Sequence, residues 1–193
     1  MKLRNIALAV VLGFALTLAS ASPLHAQRFE KSGVKDVYLG FGLGTGSTSH
    51  GFVNGDDHKG RASGLFATVR LGFIIKRNVL LGIESNGVLF EIDETDWEFG
   101  TSALVLTYYL NTSIFVKGGP AVARMSYDFK TAAESFEYYE VSDYAMGMQF
   151  AIGADIRLSN HYSILPTFHY VYADFDQFSV NSIGLTFEFA RFW

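Results

Sequence analysis

The chain has 193 residues with 15 Lys plus Arg against 19 Asp plus Glu, a formal net charge of −4, no cysteine, and a composition 49% hydrophobic and 16% aromatic. That length suits one domain, and a mildly acidic chain without clustered Lys and Arg argues against a nucleic-acid partner. The lack of cysteine excludes disulfides and a lipid anchor on an N-terminal cysteine.

In chain order, Lys2 and Arg4 precede an apolar run over residues 6–18, broken by Gly13 and Thr17, and Leu24-His25-Ala26 offers a small residue for cleavage before Gln27. This is the layout of a cleavable secretory signal; a cut after Ala21 also fits. The expected organisation is a signal peptide at 1–26 and one domain at 27–193, which keeps 13 Lys plus Arg against 19 Asp plus Glu, net −6. The apolar run is too short for a comfortable membrane helix, and no later stretch reaches the roughly 18 apolar residues one requires. If the domain lies in a membrane, it must span it as a closed barrel, because no other strand structure satisfies every backbone group in lipid.

Eight segments then alternate with period two, near the roughly 9–11 residues of a tilted spanning strand. The first, 36–46, sets Val37, Leu39, Phe41 and Leu43 against Tyr38 and four glycines. The second, 64–75, sets Leu65, Ala67, Val69, Leu71 and Phe73 against Phe66, Thr68, Arg70 and Gly72. The third, 79–90, turns Leu81, Ile83 and Leu89 outward and Glu84 and Asn86 inward. The fourth, 98–110, turns Leu104, Leu106 and Tyr108 outward. The fifth, 114–127, has Val116 and Val122 outward and Lys117 inward. The sixth, 144–158, aims Phe150, Ile152, Ala154 and Ile156 at lipid and Gln149, Asp155 and Arg157 at the lumen. The seventh, 162–173, shows Ile164, Pro166, Phe168, Tyr170 and Tyr172 against Ser163, Leu165, Thr167 and His169. The eighth begins near Ser179 and ends Phe187-Glu188-Phe189-Ala190-Arg191-Phe192-Trp193. Pro120 and Pro166 donate no ladder hydrogen bond, so a bulge or bend is expected at each. The fold class expected is an all-β, eight-stranded antiparallel up-and-down transmembrane barrel.

Short turns at 76–78, 111–113 and 159–161 alternate with longer connections at 47–62, 91–97, 128–143 and 174–178. Short turns face the periplasm in such barrels and long loops face outward, which places both termini on the periplasmic side of a bacterial outer membrane. Arg70 and Glu84 lie equidistant from the turn at Arg77, so an unbulged hairpin sets them opposite each other in the lumen. With Lys117, Asp155, Arg157 and Glu188 also inward, three basic and three acidic residues form a neutral structural network in an interior just wide enough for side chains to fill. Tyr108 and Trp193 at one end, and Tyr127, Tyr170 and Tyr172 at the other, suit the two interfacial girdles.

The glycine-alternating Tyr38-Leu39-Gly40-Phe41-Gly42-Leu43-Gly44, the eight-strand spacing and the terminal Phe187-Glu188-Phe189 to Trp193 resemble the bacterial outer-membrane β-barrel domain superfamily, which includes opacity-type surface proteins. The resemblance covers the whole of 27–193. It implies that Phe187, Phe189 and Trp193 form the terminal signal read by the barrel-assembly machinery. Arg191 departs from it, standing where that family usually has an apolar residue or tyrosine.

A hydrolase is also weighed, since His161-Tyr162-Ser163 resembles the His-x-Ser element of lipid A 3-O-deacylases, with Asp174 or Asp176 as the nearest acid. That family's element continues with asparagine where this chain has Ile164. The expected positions, a turn for His161 and the far end of the next strand for Asp174, deny the contact a triad requires.

Two acidic clusters mark the long loops, Glu91, Asp93, Glu94, Asp96 and Glu98, then Asp128, Glu134, Glu137, Glu140 and Asp143. They suit solvated loops, or a weak divalent-cation site beside lipopolysaccharide phosphate. Arg124 is a candidate contact for a lipid A phosphate, and Ser135-Phe136-Glu137-Tyr138-Tyr139 a candidate contact for another surface. No residue is assigned to catalysis, a cofactor or a metal. The function expected is a monomeric, non-enzymatic outer-membrane barrel supporting envelope integrity or surface interaction. Its expected partners are outer-membrane lipid and lipopolysaccharide, the assembly machinery, and a host or cell-surface molecule met by the loops. A narrow channel for small or apolar solutes is the alternative, and a lipid A hydrolase the remote one.

Overall fold

The computed structural model describes residues 37–52, 60–76, 78–92, 95–111, 113–128, 140–176 and 178–193. The expected signal segment at 1–26, Asp93 and Glu94 of the first acidic cluster, Glu134 and Glu137 of the second, and residues 135–139 lie outside them. The strands are β1 (Val37–Phe52), β2 (Gly60–Lys76), β3 (Val79–Ile92), β4 (Thr95–Tyr109), β5 (Ile114–Asp128), β6 (Glu140–Ala154), β7 (Ile156–Arg157), β8 (Tyr162–Asp174) and β9 (Phe178–Phe192). β6 and β7 are two parts of one stave, interrupted at Asp155, so the wall has eight staves. Every neighbour pair is antiparallel, and β1 pairs with β9 from Tyr38↔Phe192 to Phe52↔Phe178, which closes the barrel.

Period two dictates the two faces. Leu39, Phe41, Leu43, Leu65, Val69, Leu71, Phe73, Ile83, Leu104, Leu106, Phe150, Ile152, Phe187 and Phe189 are each 44–62% exposed, while most of their alternates are buried. A soluble protein would bury such side chains; a continuous apolar belt on the outside of a closed sheet is what lipid requires.

The staves are longer than the alternating pattern. Among the described side chains of β1 the exposed large apolar positions stop at Leu43, although the strand continues to Phe52. The connections expected to be long at 47–62, 91–97, 128–143 and 174–178 shrink to 53–59, 93–94, 129–139 and 175–177, so the second and fourth are no longer than the short turns and the expected alternation in length holds for the first and third alone. Beyond the apolar belt neither face needs to be greasy, so ladder hydrogen bonds continue without a hydrophobic signature.

Each proline perturbs one neighbour without shifting register. Opposite Pro120, pairing between β4 and β5 lapses between Ala103↔Ala121 and Leu106↔Gly118, while Pro120 stays paired with Met148. Opposite Pro166, pairing lapses between Gly153↔Thr167 and Ile156↔Ile164, where β6 gives way to β7. A register shift does occur where β2 meets β3, between Ile74 and Lys76. Two residues expected on the lipid face, Ala154 and Pro166, are buried instead; they flank this break in the ladder.

At the short-turn end, the Asn111 side chain accepts hydrogen bonds from the Ser113 and Ile114 amides at 2.8 and 2.7 Å, and Ser159 Oγ accepts from Tyr162 at 3.2 Å. Such side-chain-to-backbone bonds fix tight turns. Trp193 N donates to the Val37 carbonyl at 3.0 Å, so both ends of the wall meet at this rim.

Candidate functional site

The lumen is layered. At the long-loop end an apolar cluster contains Phe66, Val88, Phe90, Phe99, Met125 and Phe175. At the short-turn end a second contains Tyr38, Leu80, Tyr109, Phe115, Leu165 and Phe192. The charged network expected to fill the interior occupies only its middle, and these two apolar layers take the rest. They arise where inward positions carry large aromatics rather than polar residues.

Between the layers lies a charged belt. Arg70 Nε is 3.0 Å from Glu188 Oε2, and Lys117 Nζ lies 2.5 Å from Glu84 Oε2 and 3.3 Å from Glu188 Oε1. Gln149 Nε2 donates to Glu84 Oε1 at 2.7 Å, and Asn86 Nδ2 donates to Gln149 Oε1 at 2.8 Å. His169 stands between the two carboxylates, 3.6 Å from each, and hydrogen-bonds Thr186 Oγ1 at 2.8 Å. The four charges balance, and Arg70, Lys117, Glu84 and Glu188 are at most 4% exposed. Buried charges persist only when paired and hydrogen-bonded; Lys117 and Glu84 meet both conditions, whereas Arg70 Nε and Glu188 Oε2 are held at ion-pair distance without hydrogen-bond geometry.

The belt depends on bare neighbours. Arg70 lies on β2 and Glu188 on β9, with β1 between them. A Cβ at Gly40 would sit 2.9 Å from Arg70 Nε, and one at Gly42 would sit 2.5 Å from Glu188 Cγ. The glycines of β1 thus leave a floor over which the two long side chains meet. On the opposite wall, buried Ala103 and Ala121 leave similar room. The Arg70 guanidinium also lies 5.4 Å above the Tyr38 ring and 5.7 Å from the Phe115 ring, so the short-turn layer supports it by cation–π contact.

Of the expected lumen network, Arg70, Glu84, Lys117 and Glu188 are brought together. Asp155 lies apart, accepting from Tyr109 Oη at 3.2 Å, and Arg157 lies on the two-residue β7 near the same rim. Arg70 and Glu84 are register partners, yet Arg70 pairs with Glu188 rather than with Glu84. Gln149, Asn86 and His169 join the belt; their inward parity was the available signal, but nothing in the pattern distinguished them from filler.

The hydrolase elements do not assemble. His161 is exposed at a turn, whereas Ser163 is fully buried in the lumen. Asp174 ends β8 at the other rim, roughly 35 Å from Ser163 at strand rise. Among the described residues no group of three His, Asp or Glu is placed to hold a metal. Of the expected assembly residues, Phe187 and Phe189 are 61% and 51% exposed on the outer face of β9, and Trp193, just past its end, is 49% exposed. Tyr108, Tyr170 and Tyr172 also face outward, as does Arg124, while the Tyr127 side chain lies outside the described ones.

The fold and lumen define a class, the small eight-stranded outer-membrane-type barrel. The neisserial surface protein A structure resembles this chain with a TM-score of 0.56 at 10% identity, covering 80% of this chain and 96% of that one. The attachment invasion locus protein Ail of Yersinia pestis follows at 0.49 and 12% identity, covering 79% and 97%. OprG of Pseudomonas aeruginosa follows at 0.48 and 13%, covering 83% and 96%. At these identities the first likeness establishes the fold alone, and the other two, below 0.5, carry no argument. No protein-family model matches the chain, and no curated protein matches it by sequence.

Proposed function

We propose that this protein is a non-conducting, non-enzymatic barrel of the bacterial outer membrane, with its termini periplasmic, in which the lumen is a brace and the long-loop end is the working surface. The observation that carries this reading is the closure of the lumen: four charges at most 4% exposed, cross-linked at 2.5–3.3 Å, with an aromatic layer above and below. The four side chains are buried, and an ion would have to displace the network to pass. The outward apolar belt supports insertion in lipid, and the length of the staves beyond that belt supports projection of the loops toward lipopolysaccharide and toward a surface partner. On this reading the barrel contributes to envelope integrity or to surface contact.

Single-channel recording of the refolded protein in planar bilayers tests it. The expected trace is flat. A reproducible conductance that changes with substitution of Arg70 or Glu84 replaces this reading with the narrow-channel one. Outer-membrane fractionation with boiled and unboiled gel migration tests location and closure together.

A further inference from the structure

Arg191 is the residue of the terminal strand that the assembly reading leaves unexplained. It lies on the lipid-facing parity of β9, two residues after exposed Phe189, and is itself exposed. Its guanidinium lies 4.6 Å from the Trp193 ring centroid and 5.6 Å from that of Tyr162, and Tyr162 in turn stacks on Phe189 at 5.4 Å with an interplanar angle of 23°. The register partners of Arg191 are Leu39 on one side and Tyr162 on the other, neither of them an acid. No carboxylate pairs with it among the described residues.

A guanidinium placed over aromatic faces has its orientation set while its edge N–H donors stay available, and that edge matches a phosphate in bidentate fashion. Trp and Tyr at this rim place the group at headgroup depth. Resting on the orientation proposed above, the leaflet at the short-turn end is the periplasmic one, whose headgroups are phospholipid. We infer that Arg191, held by Trp193 and Tyr162, is a binding site for the phosphate of an anionic phospholipid in that leaflet.

The test uses the full domain refolded from urea, which bypasses any assembly role of the terminal strand. Wild type, Arg191→Gln, Arg191→Lys and the control Lys76→Gln, an exposed basic residue of the same end, are folded in mixed phosphatidylcholine and phosphatidylglycerol. Native mass spectrometry then counts each lipid retained. Wild type retains phosphatidylglycerol preferentially, and Arg191→Gln loses that preference about fivefold, the worth of one basic side chain beside an anionic lipid surface. Arg191→Lys keeps part of it, and Lys76→Gln keeps most. Equal retention in wild type and Arg191→Gln overturns the site. The unboiled gel shift is read on each sample: its loss in wild type overturns the barrel reading and the site with it, whereas a shift without lipid preference overturns the site alone.

Discussion

Arg70 and Glu84 face each other across the β2–β3 ladder, yet each takes its counter-ion elsewhere, Arg70 from β9 and Glu84 from β5. Glu188 consequently serves two cations, Arg70 and Lys117. Removing its charge leaves both under-compensated in a buried belt, where breaking a buried pair costs about 3–5 kcal/mol. Glu188→Gln therefore lowers the urea midpoint of the vesicle-folded barrel by that equivalent. Arg70→Met combined with Glu188→Gln costs less than the sum of the two single changes. Additive costs would show that the two groups do not form one network.

Glycine matters in β1 for the room it leaves. A Cβ at Gly42 meets Glu188 and Thr68 side-chain carbons at 2.5 and 2.7 Å, whereas one at Gly87, in β3, meets nothing within 4 Å. Gly42→Val is expected to destabilise by about 1–3 kcal/mol through overpacking. Gly87→Val stays near neutral. Equal losses would assign the effect to backbone freedom instead of the belt.

Ser85 and Ser102 are exposed register partners on the lipid-facing wall, joined by a 2.9 Å hydroxyl hydrogen bond. In lipid each hydroxyl satisfies the other, an interaction worth about 0.6 kcal/mol and up to about 2 in membranes. Ser85→Val alone strands its partner, while Ser85→Val with Ser102→Val removes the obligation. The double variant is expected to be at least as stable as either single one. Simple additivity in a double-mutant cycle would place this face in water.

Phe187 and Phe189 are exposed on the last strand and Trp193 just past its end, so trimming them opens no core cavity. If they form the signal read during assembly, Phe189→Ala with Trp193→Ala depletes the protein from outer-membrane fractions. The same variant still refolds in vitro with a heat-modifiable gel shift. Equal depletion of in-vitro folding yield would make these rings structural.

The staves were legible because lipid on one side and a narrow lumen on the other impose period two on every residue between Val37 and Leu43 or between Leu65 and Phe73. Their outer extensions, such as Ser47–Phe52 in β1, were not legible, because outside the apolar belt the ladder persists while alternation no longer matters. The Arg70–Glu84 register was readable from distance to the turn. The Arg70–Glu188 pair was not, since β2 and β9 are joined through β1 only once the sheet closes; the run of inward glycines at 40, 42 and 44 was the one hint that something longer would lean over that stave. Phe66 was legible as an inward aromatic from its parity in the second segment, whereas the layer around Phe115 emerges only when Tyr38, Tyr109, Leu165 and Phe192 are brought to the same end of the lumen by closure.

The Arg70–Glu188 contact straddles β1, the first stave, and therefore bridges the seam where the two ends of the wall join. That seam is the most non-local pairing in the chain, and contacts of this kind form late. Without β1 paired to both β2 and β9, the guanidinium on β2 and the carboxylate on β9 are not brought side by side. The last pairing of the wall and the last pairing of the belt are therefore one and the same event.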